Sequence, residues 1–475
     1  MIRFPAAPIQ NIRHNLAEDF YKLFSIIIIL ASNTLQISLQ PMGFRQGDSW
    51  AYGFSNMRDW ELVSFTGHAL RKWPLVLTNT IIGNIQLQMF LQTIFSCFAW
   101  IYLVHVVSRT YGQKNPAILV IGILGSTRQI VSWNSIQLSE SWSISSLVVV
   151  IALIISLSQK FSRKKAFYFL LFLLIALNTK PSTLLAAVIL FPILVLFIFY
   201  SKRTRLLTNN KSLTIATIGV LAYSSLLNVN QAAQNLQDEG TGQSYAAAQA
   251  TAVISNINPE ARAVIKEISK VKQVSCLALS EFKTPQELTE AMKNGCKESE
   301  VWLTENFPKW YLAFLISNPV YVSKIFATSL SAGNSPYSMY GGSVSILPET
   351  LTELFFGNRN YANRLNQDSA QKIEIDKIEI VSPIFFWLIL GFLILAFARF
   401  QQREYRSAPL GNPWTACGVL ISLGVITVLV SGVLIPNEWF RQSIVGQVEI
   451  FIGVILLGAE YWKIRFRQQT NQIKR

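Results

Sequence analysis

The chain has 475 residues, 51% of them hydrophobic and only 14% charged. That balance excludes an ordinary water-soluble enzyme and points to an all-α polytopic membrane protein. A net charge of +15 would suit nucleic acid. Here, however, the basic residues gather in short loops between apolar runs, so no nucleic-acid partner is expected.

A bilayer core takes about 20 apolar residues per helix, and ten runs approach that length. Arg3, Arg13 and Lys22 precede the first, Leu23–Gln40. No small-x-small cleavage site follows it, so it reads as an uncleaved span. Next come Ile82–Val107, Ala117–Trp133 and Trp142–Leu157. Ala166–Thr179 is short, but "NTKPS" supplies a turn before Thr183–Tyr200, and the two read as a helical hairpin. Leu213–Asn228 completes an N-terminal bundle over residues 1–228. Ile384–Ala398, Trp414–Ile435 and Ile444–Trp462 form a C-terminal group over 384–475.

Residues 229–383 separate the two groups and read as a mainly helical extracytoplasmic domain. "SYAAAQATAVISNINPEARAVIKEISKV" and "PQELTEAMKNGC" give short helices. "WLTENFPKWYLAFLISNPVYVSKIFATSLSAG" is apolar but interrupted by Pro308 and Pro319. Such a segment suits a helix lying at the membrane interface better than an eleventh span. "GNSPYSMYGGS" is a loop. Cys276 and Cys296 both fall in this segment, where oxidising conditions permit a disulfide. Closing that loop would add about 3 kcal/mol in the chain-entropy description.

Charge sets the orientation. With the N-terminus cytoplasmic, the cytoplasmic segments hold 21 Lys and Arg, and the short outer loops hold six. The positive-inside rule then places both termini in the cytoplasm, with ten spans. The long segment has 13 Lys and Arg against 16 Asp and Glu, and long segments are exempt from the rule.

The chemistry is narrowed by what is missing. There is no HExxH, P-loop, GxSxG or Rossmann fingerprint, and His14, His68 and His105 are far apart. The outer loops carry ionisable groups among aromatics: Asp48 in "GDSWAY", Arg71 in "RKWP", Glu140 in "LSESWSIS", Lys180 in "NTKPSTLL" and Arg441 in "EWFRQSIV". Charges at helix ends either stay wetted or serve a site. In their order along ten spans these pieces resemble the GT-C superfamily of polytopic membrane glycosyltransferases, in its bacterial, polyprenyl-phosphate-sugar-dependent form. The chain lacks a WWD-type motif, so the resemblance does not extend to oligosaccharyl transfer to protein asparagine. Its hairpin also carries Lys180 where Arg-Pro is more usual in the superfamily.

The resemblance implies transfer of a sugar from a polyprenyl-phosphate carrier to an envelope acceptor at the outer membrane face. The protein would sit in the bacterial inner membrane, and its partners would be the lipid-linked sugar donor, membrane lipid, and a glycan, lipid or protein acceptor. Asp48 corresponds to the superfamily's first-loop aspartate and would be the base of an inverting displacement. Arg71, Lys180 and Arg441 would hold the departing phosphate, and Glu140 would orient the acceptor. Trp50 and Tyr52 would stack on sugar rings. No metal ligands are assigned, and a divalent cation is left open as the one candidate cofactor.

Other classes share parts of this description. A glycan polymerase or ligase would use the same outer loop and donor. A membrane transporter calls for inverted repeats and mid-membrane charge, whereas only Arg128 and Glu449 lie in or near spans. A non-catalytic envelope-assembly protein would keep the topology without needing Asp48.

Overall fold

Apolar runs ended by polar, basic or glycine residues become helices. The structure, a computed structural model, describes residues 19–39, 84–136, 139–180, 182–190, 211–237, 261–274, 297–324, 346–356, 383–401, 413–434 and 439–473. Among them there are helices and no strands. The N-terminal group is α1 (Phe20–Leu39), α2 (Ile85–Tyr111), α3 (Ala117–Gly125), α4 (Arg128–Trp133), α5 (Ser139–Gln159) and α6 (Arg163–Thr179). It continues with α7 (Ser182–Leu190) and α8 (Lys211–Gln237). The segment over 229–383 holds α9 (Ala261–Ile268), α10 (Lys297–Glu305), α11 (Phe307–Ser317) and α12 (Glu349–Phe356). The last three helices are α13 (Pro383–Gln401), α14 (Pro413–Leu434) and α15 (Trp439–Ile473).

The protein is a multi-pass helical bundle. Four described helices are long and apolar enough to cross a membrane: α1, α2, α5 and the Ser443–Phe466 part of α15. The bent pair α6–α7 makes a fifth if it is one span. Ser212–Asn228, Phe386–Ala396 and Cys417–Gly432 are shorter apolar helices. Ten full spans are therefore not what the described residues show.

One of the predicted runs differs in shape. Ala117–Trp133 is not one helix: it breaks after Gly125. Ser126 Oγ donates to Gly122 O at 2.7 Å and Thr127 Oγ1 to Leu124 O at 2.7 Å. These hydroxyl bonds offer the backbone an alternative to continuing the helix. At the "NTKPS" turn, α6 and α7 meet at 119°. The residue before proline is pushed out of the helical region, and Lys180 takes φ −138°, ψ 104°.

Packing fixes which ends lie together. Lys463 Nζ donates to Thr110 O at 2.9 Å, Asn115 Nδ2 to Ala459 O at 3.0 Å, and Lys165 Nζ to Ser156 Oγ at 2.6 Å. The C-terminal ends of α2 and α5, the start of α6 and the far half of α15 therefore share one end. That end carries the basic loops around Arg109–Lys114 and Lys160–Lys165. Helix α2 is delimited by Asn84, whose Oδ1 accepts from Gln86 N at 2.8 Å, and by Gly112 at φ 95°. Only glycine takes that backbone conformation without strain.

α14 and α15 pack antiparallel through small residues, as membrane helices do where backbones approach closely. A Cβ on Gly446 would lie 2.6 Å from Gly424 O and 2.8 Å from Thr427 Cβ, whereas one on Gly418 would meet nothing within 4 Å. Gly446→Ala is therefore expected to lower stability by about 1–3 kcal/mol through overpacking. Gly418→Ala should leave it unchanged or slightly raised, from helix propensity. Thermal unfolding of both variants in detergent checks this, and equal midpoints would refute the close approach.

The helices of segment 229–383 divide between two clusters. Val264, Ile268, Val274, Leu303, Phe307, Tyr311, Phe314 and Tyr321 form their own apolar cluster, with Leu429 of α14 packed against it. α12 instead joins the main core: Phe355 and Phe356 are buried against Phe451 of α15, and Phe355 also stacks on Trp387 of α13. Trp387 Nε1 donates to Leu354 O at 2.9 Å. Cys97 and Cys417 are free thiols. Cys276 and Cys296 lie outside the described residues.

Candidate functional site

At the end of the bundle opposite the basic loops, α5 begins and α6 ends. Glu140 lies in the first turn of α5, where backbone N–H groups favour an anion. Lys180 caps the C-terminus of α6, where carbonyls favour a cation. The two helices pack side by side, which brings Lys180 Nζ to 2.6 Å from Glu140 Oε1. Both side chains are almost wholly enclosed, at 2% and 0% exposure. Removing two charges from water costs several kcal/mol each, so a pair like this is weak evidence for stability and better evidence for a site.

A buried amide and hydroxyl network extends from the pair. Asn134, which closes α4, donates through Nδ2 to Asn33 Oδ1 on α1 at 2.8 Å. Ser141, next to Glu140, donates through Oγ to Asn134 Oδ1 at 2.5 Å. Gln36 Nε2 reaches Ser135 Oγ at 3.0 Å. Gln92 of α2 donates to Trp133 O and Ile136 O, each at 3.0 Å, where the backbone leaves α4. Thus four helices are registered by side-chain amides at the level of the ion pair. Among the described residues, Gln92 Oε1 and the hydroxyls of Ser143, Ser145 and Ser146 are buried with no hydrogen-bond partner. Polar atoms this enclosed are normally paired.

Chemically, the arrangement holds a carboxylate and an ammonium in fixed orientation inside a polar shell. An ammonium has three donors, and one of them meets Glu140 Oε1. Among the described residues no group of three or more His, Cys, Asp and Glu comes together that could hold a metal ion.

Of the residues singled out in the sequence, the structure unites Glu140 and Lys180. Arg441 lies in the first turn of α15, but its side chain falls outside what is described. Asp48, Trp50, Tyr52 and Arg71 also lie outside the described residues. Sequence reasoning missed the amides. The available signal was Asn33 and Gln36 three apart in one apolar run, and Gln88 and Gln92 four apart in the next. Those spacings put each pair on a single helix face.

No family model matches the chain, and no curated protein matches it. Among solved structures it is similar to the archaeal oligosaccharyltransferase AglB from Archaeoglobus fulgidus, solved with an inhibitory peptide and a dolichol-phosphate. The identity is 12% and the TM-score 0.41, over 92% of this chain and 50% of that one. The chain thus spans about half the length of that protein, and a likeness this shallow assigns it no activity.

Proposed function

We propose that the chain is a GT-C-type glycosyltransferase of a bacterial inner membrane, moving a sugar from a polyprenyl-phosphate carrier to an envelope acceptor at the outer face. The observation that carries this reading is the Glu140–Lys180 pair, buried at 2.6 Å. It joins two of the motifs on which the resemblance rests, "LSESWSIS" and "NTKPSTLL". The 21-to-six distribution of basic residues supports placing that end outside. A lipid phosphate at the membrane surface and a water-borne acceptor can meet there.

In the proposed step the acceptor hydroxyl gives its proton to Asp48 as its oxygen bonds to the sugar's anomeric carbon. The anomeric carbon–phosphate oxygen bond breaks, and its electron pair leaves with the carrier phosphate. Lys180, Arg71 and Arg441 stabilise that charge, and Glu140 holds the acceptor. A single displacement needs no second catalytic carboxylate. Trp50 and Tyr52 provide faces for the sugar rings.

The test uses the full chain reconstituted in vesicles with a labelled polyprenyl-phosphate sugar and an envelope glycan acceptor. Label is expected on the acceptor without any nucleotide sugar present. Movement of intact donor across the bilayer with no transfer would replace this reading by the transporter. Neither transfer nor movement, across a panel of lipid-linked sugars, would leave an assembly role. Chain-length analysis of the product separates single transfer from polymerisation.

A further inference from the structure

α11 is apolar on both sides. Phe307, Tyr311 and Phe314 face the outer cluster and are buried. Leu312 and Ile316 point the other way and are exposed, Ile316 at 75%. Val320, in the short helix at 319–324 that follows Asn318, extends the same exposed apolar surface. A helix that is hydrophobic all round belongs in an apolar environment. At 11 residues α11 is about 16 Å long, half of what a bilayer core of about 30 Å requires. It cannot span.

Its position says what lies against it. Leu429, in the last two turns of α14, packs on the outer cluster. Gly446 and Gly453 of α15 set α14 antiparallel to α15, so this end of α14 is the one away from the basic loops. The cluster therefore sits at the end of the bundle away from the basic loops, beside the last turns of the apolar helix α14. Lys309 and Lys324 are exposed and bracket the apolar surface. A lysine at the end of such a face can lay its carbon stem along it while its charge reaches headgroups.

We propose that α11 and residues 319–324 form a monotopic foot. Leu312, Ile316 and Val320 insert into the outer leaflet at the boundary between headgroups and acyl chains, and Lys309 meets lipid phosphate. The foot sets the outer segment against the membrane at the same end of the bundle as the Glu140–Lys180 pair. It stands independently of the reaction proposed for that pair.

The experiment places benzoylphenylalanine at position 316, and separately at 312, in the full chain reconstituted in phosphatidylethanolamine–phosphatidylglycerol vesicles. Position 266, exposed on α9, is the control. Irradiation is expected to attach lipid at 316 and 312, at least several-fold more than at 266, read by mass spectrometry of the protein. Cross-links to a second copy of the chain or to another protein would overturn the foot in favour of a protein interface. Lipid attachment no greater than at 266 would overturn it in favour of a water-facing surface. Because the reading is a cross-link at one site, it does not depend on activity, and agreement of two positions guards against a local fold defect.

Discussion

Lys180→Met is expected to lower stability by about 3–5 kcal/mol, because it leaves the Glu140 carboxylate buried without its lysine. The exposed pair Lys270–Glu267 offers an internal comparison. Its Nζ–Oε1 distance is also 2.6 Å, but its side chains are 62% and 43% exposed, against 2% and 0% for Lys180 and Glu140. Water screens the first pair and not the second. Lys270→Met should therefore cost no more than about 1 kcal/mol. Combining Lys180→Met with Glu140→Gln removes both charges at once, and should be less damaging than Lys180→Met alone. Thermal unfolding of the wild type, Lys180→Met, Lys270→Met, Glu140→Gln and the double variant in detergent reads all of this. Were Lys180→Met as mild as Lys270→Met, the enclosed pair would not exist in the folded protein. Were the double variant simply the sum of the singles, the two side chains would be independent.

That comparison shows what hydropathy can and cannot convey. The runs that became α1, α2, α5 and most of α15 are long and uninterrupted, so residue composition alone placed them. Ala117–Trp133 is as apolar, yet it breaks at Ser126–Thr127 because side-chain hydroxyls there bond back to the preceding turn. A hydropathy average does not register such bonds. α12 was read as part of the outer segment, and its apolar "ELFF" is too short to register as a membrane element. The structure nevertheless docks Phe355 and Phe356 onto Phe451.

The site was half legible. Glu140 and Lys180 were each conspicuous as charges at the ends of apolar runs. Their pairing was not, since it depends on α5 and α6 packing with one helix start beside one helix end. The amides of Asn33, Gln36 and Gln92 were passed over because single polar residues do not interrupt a hydropathy profile. They matter through partners roughly 40 to 100 positions away, such as Asn134 for Asn33 and Trp133 for Gln92. Glu449 is the mirror case. It was noticed in the sequence, and it proves to be enclosed between α14 and α15, accepting from Thr427 Oγ1 at 3.2 Å.

The largest effect on activity is expected from Asp48→Asn. The proposed displacement needs a base for the acceptor's proton at the outer end of α1, and Asp48 follows that end in the sequence. Asparagine keeps the size and hydrogen-bonding shape of the side chain but cannot take a proton. Loss of a general base typically costs about 10²–10⁴-fold in rate, so transfer from the lipid-linked donor should fall by that order. Replacing a group that acts only on the acceptor's proton should leave the thermal midpoint unchanged. Lys180→Met is expected to move both midpoint and rate, and that difference separates a chemical role from a structural one. Purified Asp48→Asn protein that transferred sugar at the wild-type rate would remove Asp48 from the mechanism and return it to the status of a wetted loop residue. A lowered midpoint with a proportionate loss of rate would mean that Asp48 holds the first loop in place rather than taking the proton.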